Sequence, residues 1–112
     1  MQADVIDAAQ LAQLRASMSQ AKYAMLLEMF AKELDTHLAL LREAWAGNDR
    51  GRTAMEAHII LGLAGNMAMA RLAGTARSLE AMAPEAPAAL IGQTIATILE
   101  QAAQARRALA AP

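Results

Sequence analysis

Residues 57–67 read AHIILGLAGNM, and the spacing of the apolar side chains determines how this segment folds. Small or medium apolar residues recur at intervals of three and four, namely Ala57, Ile60, Ala64 and Met67. This is the period of one face of an α-helix, so we expect a narrow buried stripe. The geometry of such a helix turns His58 roughly 140° away from the core, which predicts a solvent-exposed imidazole.

Capping residues and helix breakers divide the rest of the chain into further helices. Asp7 and Ser17 are each followed three residues later by Gln, a spacing typical of helix starts. Gly47 suits a left-handed helix end, and Pro84 and Pro87 interrupt the helical pattern. We expect helices over about 7–18, 19–46, 50–65, 69–83 and 87–110.

Each of the longer helices carries one apolar stripe. The stripe of the second helix comprises Leu27, Leu34, Leu38, Leu41 and Trp45, flanked by Phe30. The fourth helix should bury Leu72, Ala76 and Leu79, and the last one Leu90 or Ile91, Ile95, Ile98, Ala102 and Ala105. Short connections favour antiparallel neighbours. We therefore predict an all-α fold, an antiparallel up-down four-helix bundle preceded by a short N-terminal helix, as one domain over 1–112.

The composition excludes several classes of protein. The 112 residues include no cysteine, which excludes a disulfide scaffold, a thiolate zinc site and a cysteine nucleophile. A net charge of −1 and an aromatic content of 3% argue against a nucleic-acid partner. The most apolar stretch, 59–70, is too short to span a membrane, and the first residues do not resemble a signal peptide. We expect a cytoplasmic protein.

Two glycines lie beside His58 on the exposed face of the third helix. Gly62 and Gly65 follow the histidine by four and seven residues, so both lie on its face together with Met55. A glycine inside a helix costs about 1 kcal/mol relative to alanine. Bare backbone here therefore suggests room for a group on the imidazole or for a closely approaching partner. For Gly65 the alternative is that it only ends the helix.

The stretch 57–67, followed by Arg71-Leu72 and Leu79-Glu80, resembles the signature of histidine-containing phosphotransfer (HPt) domains. In that family an Ala-His pair precedes a glycine, small residues, an asparagine and, later, a Leu-Glu pair. The resemblance extends upstream through 26–30, Glu33-Leu34, 47–49 and 5–7, so that it covers nearly the whole chain.

The resemblance implies that His58 accepts a phosphoryl group from an aspartate of a receiver domain and passes it to another. Its docking surface would comprise Met55, Ile59, Leu61, Gly62 and Gly65. The implied partners are response-regulator receivers and a hybrid sensor kinase, and the expected Mg²⁺ belongs to the receiver. The chain itself would bind no cofactor or metal and act as a monomeric carrier without independent catalytic activity.

Two positions depart from the family pattern. Leu61 stands where the family usually has a lysine, and Ala68 where it has a glycine. The missing lysine removes a cation about one turn from the imidazole that would contact a phosphoryl oxygen. One alternative is therefore a degenerate HPt-like module that docks a receiver or kinase without phosphotransfer. Another is a structural bundle that self-associates through the apolar His58 face, which does not explain an exposed histidine flanked by glycines.

Other candidate residues are assigned structural roles. His37 lies at the border of the apolar stripe of the second helix, without glycines around it, and is expected to be structural. Glu56 and His58 are two residues apart and do not share a helix face, so we expect no metal site there. Arg50 and Arg52 are expected to be ordinary surface charges.

Overall fold

The computed structural model describes residues 4–110, and within this range the chain forms five α-helices and no strand. They are α1 (Ala8–Ala16), α2 (Gln20–Ala46), α3 (Arg50–Asn66), α4 (Ala70–Met82) and α5 (Ala88–Ala110). Helix α2 packs against α3, α3 against α4, and α4 against α5, while α5 returns to α2 and closes the ring. The predicted up-down four-helix bundle with a short leading helix is confirmed. No helix within residues 4–110 combines the length and hydropathy that a membrane-spanning segment needs.

Side chains cap the first three helices at their N-termini. The oxygen atoms of Asp7, Ser19 and Asp49 each accept a hydrogen bond from the backbone N–H three residues later, at 2.9 to 3.2 Å. The expected reciprocal contact of a capping box does not form at α1. Instead, the side-chain amide of Gln10 donates to the carbonyl oxygen of Gly65 at 2.7 Å. This bond ties α1 to the C-terminal end of α3.

The core lies where the predicted stripes of the four long helices meet. The stripe of α3 is buried, and Leu72, Ala76 and Leu79 of α4 are almost inaccessible to solvent. On α5 the buried residue of the first turn is Ile91, whereas Leu90 is exposed. The sequence leaves Leu90 and Ile91 as alternatives for this buried position, and the structure shows that Ile91 occupies it.

The stripe predicted for α2 needs correction at both ends. Leu27 and Trp45 are only half-buried, whereas Tyr23 is buried. Leu27 borders an open groove that it shares with Leu109 of α5, and Trp45 lies at the last turn of its helix. Solvent therefore reaches both side chains, because the bundle ends there.

The turn between α2 and α3 places an asparagine in the left-handed position. The sequence predicts Gly47 in this role, but Gly47 has φ −86° and Asn48 has φ 57°. The backbone N–H of Asp49 donates to the carbonyl oxygen of Ala44 at 2.9 Å and closes the turn. Asparagine tolerates the left-handed region well, so the turn needs no glycine at that residue.

The turn between α3 and α4 has the same hydrogen-bond pattern but an alanine in the left-handed position. Ala68 has φ 61° and is 1% exposed, and the backbone N–H of Met69 donates to the carbonyl oxygen of Ala64 at 2.9 Å. The carbonyl oxygen of Ala68 also accepts the backbone N–H of Asp7 at 2.8 Å. A left-handed alanine costs about 1 to 2 kcal/mol, which the contacts around the turn offset.

Arg50 holds the connection between α4 and α5. Its guanidinium donates to the carbonyl oxygens of Ala83 and Ala86 at 3.0 and 2.8 Å and lies over the ring of Trp45, 5.8 Å from the centroid. The expectation that Arg50 is an ordinary surface charge is therefore wrong. Its contacts are with backbone carbonyls far along the sequence, which no local pattern reveals.

We predict that Ala68→Gly raises the free energy of unfolding by up to about 1 kcal/mol. Relief of left-handed strain exceeds the extra freedom that glycine gives the unfolded chain. The matched control is Ala76→Gly, equally buried but inside α4, which should lower the free energy of unfolding by about 1 kcal/mol or more. Urea denaturation measures both values. An equal loss of stability in the two variants would contradict strain at Ala68.

Candidate functional site

His58 lies on the exposed face of α3, as the helical spacing predicts. Its side chain is 69% exposed, and Nδ1 lies 3.0 and 3.1 Å from the two carboxylate oxygens of Glu80 on α4. An ionised carboxylate only accepts hydrogen bonds, so Nδ1 carries the proton and donates a hydrogen bond to Glu80. The lone pair of the imidazole is then on Nε2. The contact fixes the tautomer and the orientation of the ring, and leaves the nucleophilic nitrogen available.

Glu80 is a functional candidate that helical spacing along the sequence does not single out. In the sequence it belongs to the Leu79-Glu80 pair, one of the features that carry the family resemblance. The separation of 22 residues between Glu80 and His58 spans a turn and two antiparallel helices. Only the packing of α4 against α3 brings these two side chains together.

The predicted docking residues differ in their exposure to solvent. Met55 is 57% exposed, and Gly62 and Gly65 are exposed beside His58. Ile59 and Leu61 are half-buried on the two flanks of this face, and Leu61 also packs against the hydrophobic core. Leu61 therefore has a structural contact in addition to any role in docking.

The fold itself does not require glycine at the two bare positions. A Cβ atom added at Gly62 or Gly65 would meet nothing within 4 Å. Neither glycine adopts a positive φ, so Gly65 does not end the helix by a left-handed conformation. The same openness is found at Gly74 on α4. Packing within the described residues therefore gives no reason for bare backbone beside His58.

The second histidine forms a different kind of pair. Nδ1 of His37 on α2 lies 2.7 Å from Oε2 of Glu56 on α3. The side chains are only 26% and 6% exposed, so this pair is largely buried between the helices. The structural role expected for His37 agrees with this position. The burial of Glu56 was missed, although its place one turn from Thr53 and Ile60 on the stripe of α3 is the signal that could have revealed it.

Within residues 4–110, no group of three or more histidine, aspartate or glutamate side chains is arranged to hold a metal ion. Glu56 and His58 point to different neighbours, His37 on α2 and Glu80 on α4. The two carboxylates thus act on two separate imidazoles.

Comparisons with known proteins agree with this fold. A family profile described as Hpt domain matches residues 25–109. The crystal structure of histidine-containing phosphotransfer protein B from Pseudomonas aeruginosa PAO1 is similar, with a TM-score of 0.83 and 27% sequence identity. The match covers 93% of this chain and 90% of that chain. A comparison with curated proteins gives no match.

The fold and the site define a class of protein, a small helical bundle that presents one exposed, carboxylate-paired imidazole on its surface. Because the family profile spans most of the sequence, the chain belongs to the Hpt domain family. The resemblance noted from the sequence is confirmed.

We predict that the two histidines differ in their contribution to stability. His37→Leu should lower the free energy of unfolding by about 1 to 3 kcal/mol, because it leaves the Glu56 carboxylate buried without its partner. His58→Leu, the matched control, should change it by less than about 0.5 kcal/mol, since that side chain is exposed. Thermal and urea denaturation give both values.

A double variant separates loss of the pair from loss of packing. Adding Glu56→Met to His37→Leu removes the unpaired carboxylate and should recover most of the lost stability. No recovery in the double variant would mean that His37 contributes by packing alone.

Proposed function

We propose that this chain is a histidine phosphotransfer protein of a two-component phosphorelay. It accepts a phosphoryl group on His58 from a receiver-domain aspartate and passes it to another. The observation that carries the proposal is the contact of Glu80 with Nδ1 of His58, which leaves Nε2 of an exposed ring as the nucleophile. Membership of the Hpt domain family and the similarity to a histidine-containing phosphotransfer protein support it.

The transfer balances without loss of a proton from the ring. The Nε2 lone pair attacks the phosphorus of an aspartyl phosphate, the N–P bond forms, and the P–O bond to the aspartate breaks. The aspartate leaves as a carboxylate anion, and the ring, which keeps its proton on Nδ1, gains a positive charge. The Glu80 carboxylate, 3.0 Å from Nδ1, stabilises that charge. A second receiver aspartate then attacks the phosphorus and restores the neutral imidazole.

The proposal assigns the remaining components of the reaction to partners. Response-regulator receivers provide the aspartates and hold the Mg²⁺ that neutralises phosphoryl charge, and a hybrid sensor kinase is the source of phosphate. The chain itself acts as a monomeric, cytoplasmic carrier without catalytic activity of its own. Met55, Ile59, Leu61, Gly62 and Gly65 form the surface on which the receivers dock.

Bare backbone at Gly62 and Gly65 suits this docking. A receiver must bring its aspartate close enough for an in-line reaction at Nε2, and any side chain beside the ring would obstruct it. The open space at both positions means that the chain gains no packing from leaving them empty.

The second candidate function is a binding module that docks a receiver without phosphotransfer. Leu61 in place of the usual lysine is the observation that favours it. The comparisons give this alternative no support. One experiment distinguishes this binding module from a phosphoryl carrier. A receiver that binds the chain tightly is phosphorylated and supplied with Mg²⁺, and the binding module would then acquire no phosphate on His58.

We predict that His58→Gln abolishes acid-labile, base-stable phosphorylation of the chain. The measurement is incubation with a panel of phosphorylated receiver domains and Mg²⁺, followed by quantification of protein-bound phosphate. His37→Gln is the control and should still be labelled, since its imidazole belongs to the largely buried pair. Labelling that persists in His58→Gln would remove His58 from the role of phosphoacceptor.

We predict opposite effects of two substitutions at Gly62. Gly62→Ala should raise the free energy of unfolding by up to about 1 kcal/mol through helix propensity. Gly62→Gln should leave the fold intact but slow transfer from the receiver, because the side chain fills the space beside the ring. Gly74→Gln is the matched control, since Gly74 is also open but lines the groove between α4 and α5. Transfer by Gly62→Gln at the wild-type rate would refute the need for clearance.

A further inference from the structure

His58 contacts the carboxylate of Glu80, and the neighbouring turns of α3 offer it no cation. A phosphoryl group on Nε2 brings up to two negative charges beside the Glu80 carboxylate, which lies 3.0 Å from the other ring nitrogen. Between Thr53 and Asn66, α3 carries neither lysine nor arginine. The positive charge of the phosphorylated ring is already paired with Glu80, so a cation from another helix would further stabilise the phosphoryl oxygens.

The register between α3 and α4 places one arginine at the required level. The two helices run antiparallel and pack against each other, and the contact between His58 and Glu80 aligns them. Leu61 follows His58 by three residues on α3, and Arg77 precedes Glu80 by three residues on α4. Because the helices are antiparallel, both residues lie about 4.5 Å further along the bundle axis and at the same level. Arg77 thus lies beside the position at which the usual lysine is missing.

The orientation of α4 turns Arg77 toward the same side as Glu80. Arg77 precedes Glu80 by three residues, which places it on the same flank of α4, rotated roughly 60° further toward solvent. The core-facing residues Ala76 and Leu79 lie on the other side of Glu80. Arg77 therefore lies on the flank of α4 that carries Glu80, on its solvent side and one turn along the helix.

Arg77 is also available for a ligand. It is exposed, and no other side chain or backbone carbonyl within residues 4–110 holds it by a hydrogen bond or ion pair. Three other arginines have partners: Arg50 contacts backbone carbonyls, Arg106 pairs with Asp35, and Arg15 lies over the ring of Tyr23. The carboxylate of Glu80 is itself occupied by the imidazole.

We propose that Arg77 donates hydrogen bonds to the phosphoryl oxygens on His58 and replaces, from α4, the cation that Leu61 does not supply from α3. This inference deepens the proposed function and rests on a phosphoryl group at Nε2. A guanidinium presents two parallel N–H donors to two phosphoryl oxygens, which a lysine ammonium does not. The arginine side chain is long enough to bridge the axial offset of about one turn between residue 77 and His58. Because the cation then comes from α4, Leu61 stays half-buried and keeps its contact with the core.

The test uses phosphoramidate, a small phosphodonor, so that no receiver is needed. The initial rate of His58 phosphorylation is measured for wild type, Arg77→Gln and the matched control Arg107→Gln, which removes an exposed arginine on α5. We expect Arg77→Gln to slow labelling roughly three- to tenfold, the effect of one partly screened charge-assisted hydrogen bond. Arg107→Gln should stay within about twofold of wild type, and neither variant should change the melting temperature appreciably.

A rescue variant tests whether positions 61 and 77 serve the same purpose. Leu61→Lys added to Arg77→Gln should restore the labelling rate, whereas the same change in wild type should add little. In ¹⁵N–¹H spectra, the Nε–H signal of Arg77 should shift on phosphorylation. Equal rates for wild type and Arg77→Gln, an unmoved Arg77 signal, or equal gains from Leu61→Lys in both backgrounds would overturn the role of Arg77.

The outcome for Arg77 is separable from the outcome for the proposed function. If phosphoramidate labels His58 and Arg77→Gln slows it, while no bound receiver transfers phosphate, then the cation site stands and the carrier function falls. If receivers transfer phosphate to His58 at the same rate in wild type and Arg77→Gln, and phosphoramidate does likewise, then the carrier function stands and Arg77 has no part in it.

Discussion

The close packing of α3 against α4 is the interaction on which the rest of this structure depends. The core-facing stripes of these helices include small, completely buried side chains, Ala57 and Ala64 on α3 and Ala76 on α4, and small residues allow helices to pack closely. This approach brings Glu80 within hydrogen-bond distance of His58. It also sets the register that places Arg77 level with Leu61. A wider separation would leave the imidazole without a partner to fix its tautomer.

Much of the fold follows from local sequence, and much of the site does not. The stripe of α3 and the cap at Asp7 are local features, so periodicity and spacing predict them. The start signal at Ser17 lies two residues early, because Ser17 ends α1 and Ser19 caps α2. The left-handed Asn48 was missed because glycine beside it is the commoner choice. The pairs that orient both histidines join different helices, and helical spacing along one segment contains no information about its neighbours.

The two histidines have different roles because their glutamate partners differ in burial. Each histidine donates a hydrogen bond from Nδ1 to a glutamate on an adjacent helix. Around Glu56 the protein excludes most water, so the pair serves to keep a carboxylate hydrogen-bonded inside the bundle. Around Glu80 water has access, the pair contributes little to stability, and the contact serves to orient a ring that reacts.

Helix α1 has a consequence for the motions of the protein. It buries none of its residues completely, and it is joined to the turn after α3 by two hydrogen bonds, from Gln10 to Gly65 and from Asp7 to Ala68. A segment with so few contacts opens at a lower free energy than the bundle it covers. Amide protons of α1 should therefore exchange with solvent well before those of α3. Each such opening uncovers the end of the helix that carries His58, while the four-helix core stays folded.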